Sequence, residues 1–134
     1  MTLTAIIKRY IGSYRVFLYN TFFNKIPSKI LRRQISGLYM KIGKNTSVRS
    51  NVHILNISPK RNQITIGKNT IINQGCLLDG RVYKISIGNN VDIARETFIY
   101  TLEHDPHDDY HCIKGGDVII EDYVWIGSRV IILP

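Results

Sequence analysis

Four segments of the chain align without a gap over thirteen residues: IGKNTSVRSNVHI from Ile42, IGKNTIINQGCLL from Ile66, IGNNVDIARETFI from Ile87 and IEDYVWIGSRVII from Ile120. Their first column reads Ile42, Ile66, Ile87 and Ile120. The seventh reads Val48, Ile72, Ile93 and Ile126, and the thirteenth Ile54, Leu78, Ile99 and Ile132. An aliphatic residue therefore recurs every six positions. Four residues after each comes a smaller one, Thr46, Thr70, Val91 and Val124 in one column and Val52, Cys76, Thr97 and Val130 in another. An α-helix asks for a 3.6-residue period and a simple sheet for strict alternation between turns. A period of six instead suits a β-solenoid, in which each hexapeptide makes one short flat side and a corner.

The chain is thus expected to be an all-β solenoid, a left-handed parallel β-helix, over residues 42–134. Large aliphatics would fill the prism, small residues would line its corners, and the Gly or Asn of IG(K/N)N would supply the positive φ that corners need. Three hexapeptides make about one turn of eighteen residues. The successive leading isoleucines lie 24, 21 and 33 residues apart. Each excess marks a loop extruded at a corner, and the largest lies at 100–116. It contains TLEHDPHDDYHC, residues 101–112, with three histidines and a cysteine. Loops on a rigid scaffold carry chemistry, so a functional site is expected there.

Residues 1–41 form a different segment. They hold eight Lys and Arg and no acidic residue, whereas residues 42–134 hold ten of each sign, so the +8 net charge belongs to the N-terminal segment alone. This argues against nucleic acid as a partner and for a local basic surface. Residues 4–23 read as a helix with apolar residues at Ile7, Ile11, Tyr14, Phe17, Leu18 and Phe22. Pro27 and Ser28 open a second helix over KILRRQISGLYM, with Ser28 as N-cap. The favoured expectation is that these short α-helices cap the open end of the prism, the apolar face of 4–23 being buried there. The alternative is a basic amphipathic helix lying on an anionic membrane. Cys76 and Cys112 make no disulfide framework, and no signal peptide or span-length apolar run is present. A cytoplasmic setting is therefore expected, with the inner membrane face as the peripheral alternative.

The hexapeptide pattern, the histidine-bearing loop and VIIEDYVWIGSRVIILP together resemble the left-handed β-helix acyltransferases, in the branch of the maltose and galactoside O-acetyltransferases. The resemblance covers roughly residues 25–134. It implies transfer of an acetyl group from acetyl-CoA, as donor co-substrate, to a hydroxyl of a sugar or glycan acceptor. It implies a general base at His104, seventeen residues after Ile87 in Thr101-Leu102-Glu103-His104, and an acceptor-binding asparagine at Asn73. Trp125 would line the cofactor groove, and the Ser128 N–H would face the thioester carbonyl. Asp79 reads as an acceptor contact or as a turn residue. Glu103, Asp105, Asp108 or Asp109 would orient the imidazole. The resemblance also implies a homotrimer with sites between neighbouring prisms. In that family the pattern continues past I-L-P, so further C-terminal coils completing the coenzyme A groove are expected beyond Pro134.

Two other readings compete. His104, His107, His111 and Cys112 are of the residue types that hold zinc, and the related γ-type carbonic anhydrases bind metal through three histidines. There the ligands come from different coils, so no metal is expected here. A solenoid without catalysis, serving as a trimeric scaffold, is the reading from a different class.

Overall fold

A computed structural model describes residues 2–56 and 63–134. Its strands stack into four coils. The first is β1 (Lys41–Ile42), β2 (Ser47–Val48) and β3 (His53–Leu55), and the second β4 (Ile64–Ile66), β5 (Ile71–Ile72) and β6 (Leu77–Asp79). The third is β7 (Ile85–Ile87), β8 (Asp92–Ile93) and β9 (Phe98–Tyr100). An excursion with β10 (Leu102–His104) and β11 (Ile113–Gly115) precedes the fourth, β12 (Val118–Ile120), β13 (Trp125–Ile126) and β14 (Ile131–Ile132). Equivalent strands pair in parallel, giving three four-stranded sheets, β1-β4-β7-β12, β2-β5-β8-β13 and β3-β6-β9-β14. The fold is a left-handed parallel β-helix with short N-terminal helices.

The six-residue columns set the register. Ile42 pairs with Ile66, Ile66 with Ile87 and Ile87 with Ile120. Val48, Ile72 and Ile93 stack on the second sheet, and Ile54, Leu78 and Ile99 on the third, all fully buried. The smaller residues Thr46, Thr70, Val91, Val52, Cys76 and Thr97 are buried between them. Val124, Ile126 and Ile132 of the fourth coil are partly buried against this core.

The corners divide the work expected of Gly and Asn. Positive φ falls on Asn45, Asn69 and Asn90 and on Tyr123 in the fourth coil, at 54–61°. The preceding glycines do not take it. They are required because coils approach too closely for a side chain: a Cβ on Gly43 would lie 2.5 Å from the backbone of Gly67, and one on Gly67 would lie 2.6 Å from the Gly88 carbonyl carbon. The Asn side chains form a ladder up this corner, Asn45 donating to Asn69 at 3.3 Å and Asn69 to Asn90 at 3.2 Å. A second column of positive φ, Asn51, Gly75, Glu96 and Arg129, turns the next corner.

The second and third excesses leave the third corner, between the third sheet and the next coil. The first includes residues 57–62, outside the described residues. The second is the turn after Asp79. The third is not a plain loop, because β10 and β11 pair antiparallel as a hairpin, Glu103 opposite Lys114 and His104 opposite Ile113.

The N-terminal segment sits on the first coil, whose outer edge would otherwise present unpaired backbone groups. Helix α1 (Leu3–Thr21) leads through a 3-10 turn (Phe23–Lys25) to α2 (Lys29–Ser36), with the Ser28 hydroxyl accepting from Leu31 N–H as the N-cap. Helix α2 ends at Ser36, short of the expected stretch, and residues 37–40 turn into β1. The Asn20 amide donates to Ile54 O at 2.8 Å and accepts from Ile54 N–H at 3.0 Å, standing in for a neighbouring strand. Asn24 donates to Val52 O, Arg32 Nε to Val48 O at 3.0 Å, and Arg33 to Thr46 O and Gly43 O. Much of the cap is therefore hydrogen bonding to the coil edge. Asn20→Ala is expected to cost about 1–3 kcal/mol by leaving both Ile54 groups without partners, read as a lowered melting temperature.

The apolar part of the cap is Tyr19 and Met40, both fully buried, with Val16, Phe23 and Tyr39 packed against the same core. Tyr19 shares a 2.9 Å hydrogen bond with Ser36, and burial pushes its phenol up to about 12. The expected apolar face of residues 4–23 does not point inward. Ile7, Ile11, Tyr14, Phe17 and Phe22 are exposed, and the helix buries Gly12 and Tyr19 instead. The reason is the edge beneath it, which takes the polar Asn20 between the packed residues.

Candidate active site

The hairpin at the third corner is built from its base. Thr101 is fully buried and its hydroxyl donates to Asp79 O at 2.7 Å, tying the hairpin to the coil below. Gly115 lies against the Thr101 carbonyl and the Tyr83 ring, where a Cβ would come within 2.8 Å of the ring. Lys114 bridges Glu103 at 3.3 Å and Asp105 at 3.7 Å across the strands. Beyond them the acidic residues shape the tip. Asp105 accepts from His107 N–H at 3.0 Å, and Asp108 accepts from Tyr110 N–H at 2.8 Å. Asp108 also accepts from the Cys112 thiol, and these hydrogen bonds hold its carboxyl below the usual range.

His104 ends β10, exposed, with its ring nitrogen Nδ1 2.6 Å from the carbonyl oxygen of His111. A carbonyl only accepts, so Nδ1 carries the proton and the neutral ring keeps its lone pair on Nε2. A ring held in that tautomer can remove a proton from a hydroxyl. The group that orients it is not one of the expected carboxylates Glu103, Asp105, Asp108 or Asp109. It is a backbone carbonyl, aimed by the left-handed conformation of His111 at φ 51°. A main-chain role leaves no mark in residue type, although histidine is among the residues that enter this conformation more readily.

The other expected site residues lie elsewhere. Asp79 is fully buried and paired with Arg81 at 2.7 Å, with both carboxylate oxygens engaged. It also accepts from Arg81 N–H, as a turn residue does. Asn73 follows β5 and donates to Asp92 Oδ1 at 2.9 Å and to Ile93 O at 3.0 Å. Asp92 in turn pairs with Trp125 across β8 and β13. Trp125 is 76% exposed, and Ser128 is exposed three residues on. Asp92, which the sequence did not single out, thus joins Asn73 to Trp125 on the second sheet. His104 stands at the far corner of the third sheet, so the chain carries two separate candidate surfaces.

His107, His111 and Cys112 are all exposed at the hairpin tip, and among the described residues no three His, Cys, Asp or Glu gather as a metal would need. Cys76 is a free, buried core thiol.

No protein-family model matches the chain. Over 99 residues it is 28% identical to the polysialic acid O-acetyltransferase of Escherichia coli O1:K1 / APEC, covering 71% of this chain and 31% of that protein. The chain therefore spans less than a third of that relative's length, 31%. The solved structure of a maltose O-acetyltransferase from Clostridium difficile 630 aligns at a TM-score of 0.49 and 23% identity, over 97% of this chain and 68% of that one. By its repeat and by the sequence match, the chain is similar to the hexapeptide-repeat O-acetyltransferases.

Proposed function

We propose that this chain takes part in O-acetylation of a sugar or glycan hydroxyl, with acetyl-CoA as donor. The observation that carries the proposal is the 2.6 Å hydrogen bond from His104 Nδ1 to His111 O, which makes Nε2 the nitrogen that can accept a proton. A sugar hydroxyl is a weak nucleophile at neutral pH. Nε2 of His104 takes its proton as the oxygen attacks an acyl carbon, and returns that proton to the departing group. The Ser128 N–H donates to the oxyanion that develops. Trp125, with its exposed ring three residues before Ser128, offers a flat apolar surface to the donor. Acetyl-CoA, when bound, supplies the activated acyl group. The sequence match to an O-acetyltransferase of polysialic acid supports a glycan acceptor.

The separation of the two surfaces favours a homotrimer in which the hairpin of one prism faces the second sheet of its neighbour. Asn73, held by Asp92, then meets the acceptor across that boundary. The test is release of free thiol from acetyl-CoA in the presence of sugar and glycan acceptors, with acetyl ester formation followed by mass spectrometry. Acceptor-dependent release at a steady rate is expected. A protein that assembles as a trimer but transfers nothing to any acceptor would establish the scaffold reading instead.

A further inference from the structure

Helix α1 faces the prism with Gly12, Val16, Tyr19 and Asn20 and turns its opposite side to solvent. That outward side carries Leu3, Ile7, Tyr10, Ile11, Tyr14 and Phe17, whose exposures run from 49% at Ile7 to 74% at Tyr10. At 3.6 residues per turn these six fall within an arc of roughly 120°, so they form one continuous apolar and aromatic stripe. Scattered apolar residues on a surface are ordinary, but a contiguous stripe of this kind marks an interaction site. Lys8 and Arg9, both exposed, lie about 60° and 80° beyond its two edges, toward the side that carries Tyr19, Val16 and Asn20, and the whole of residues 1–41 lacks an acidic side chain.

These features choose among partners. A second copy of the helix would bring two basic segments together, with no carboxylate in either to pair their cations. An anionic lipid surface supplies both the apolar layer for the stripe and the negative charge for the basic segment as a whole. We propose that the outward face of α1 docks on an anionic membrane surface, lying in the interface with the prism on the water side. Capping and membrane contact are then compatible, because opposite faces of one helix serve them. No described helix is long and apolar enough to cross a membrane, so the contact is peripheral. The proposal stands independently of the acyl-transfer reading.

The experiment is co-sedimentation of the whole chain with phosphatidylcholine vesicles, with and without phosphatidylglycerol, at about 0.1 M and about 1 M salt. Binding about tenfold stronger to the anionic vesicles at the lower salt is expected, falling as salt rises. Two variants, Ile7→Gln with Ile11→Gln and Lys8→Gln with Arg9→Gln, should each weaken binding several-fold. Melting temperatures should stay unchanged, since all four side chains are exposed. Absence of vesicle binding, or binding indifferent to both variants, would overturn the proposal. So would a smaller assembly of the Ile7→Gln, Ile11→Gln variant in light scattering without any vesicle binding, which would give the stripe to a second copy.

Discussion

Alanine at position 104 is expected to lower acetyl transfer by roughly 10²–10⁴-fold while leaving the fold intact. The side chain is exposed and touches no part of the core, so its loss removes a proton acceptor and not a packing contact. The measurement is acceptor-dependent thiol release by wild type and His104→Ala at matched concentration, with circular dichroism and light scattering as controls for structure. Retention of most of the activity would end the assignment of His104 as base. Position 111 separates orientation from chemistry. His111→Gly keeps the carbonyl and tolerates φ 51°, so it should retain most activity. His111→Val places a β-branched residue in left-handed backbone, where it is strained. The carbonyl that holds Nδ1 should then turn away, lowering kcat more than it changes KM.

The largest effect on stability is expected at Gly67. An added methyl would press on the Gly88 carbonyl carbon at 2.6 Å, and both partners are backbone in the middle of the stack, so neither can swing aside. Overpacking of this kind costs about 3 kcal/mol, equivalent to a melting temperature lower by roughly 10 °C for a chain of this size. Gly127→Ala is the control. A Cβ there meets nothing within 4 Å, and the same column carries Arg49, Asn73 and Ala94 in the other coils. Alanine at 127 should change stability by less than about 1 kcal/mol, toward the stable side. If Gly67→Ala melts with wild type, the close coil-to-coil approach at this corner is wrong.

The repeat by itself determined the stack. Ile42, Ile66, Ile87 and Ile120 pair in register because each coil buries the same face, and a slip would turn the columns outward. It also determined that chain is extruded, since residues beyond the eighteen-residue turn must leave at a corner, and that placed His104 on an extruded segment, which folds as a hairpin. Ser28 as N-cap was legible too, because a short polar side chain ahead of a helix serves the free N–H groups of its first turn.

Tertiary structure alone decided the rest. Hydrophobic pattern assigned Ile7, Ile11, Tyr14 and Phe17 to the interior, yet they face outward. What lies under α1 is the rim of a coil, and there Asn20 satisfies Ile54 while Tyr19 and Val16 pack beside it. An edge of unpaired N–H and C=O groups selects hydrogen-bonding residues, and no single-segment periodicity contains that demand. The partner of His104 was hidden for a related reason. Carboxylates crowd residues 103–109, but Glu103, Asp105 and Asp108 hold Lys114 and the backbone of the tip, and the orienting atom is the His111 carbonyl. Every residue has such a carbonyl, so its direction is set by the folded backbone and not by the identity of the side chain.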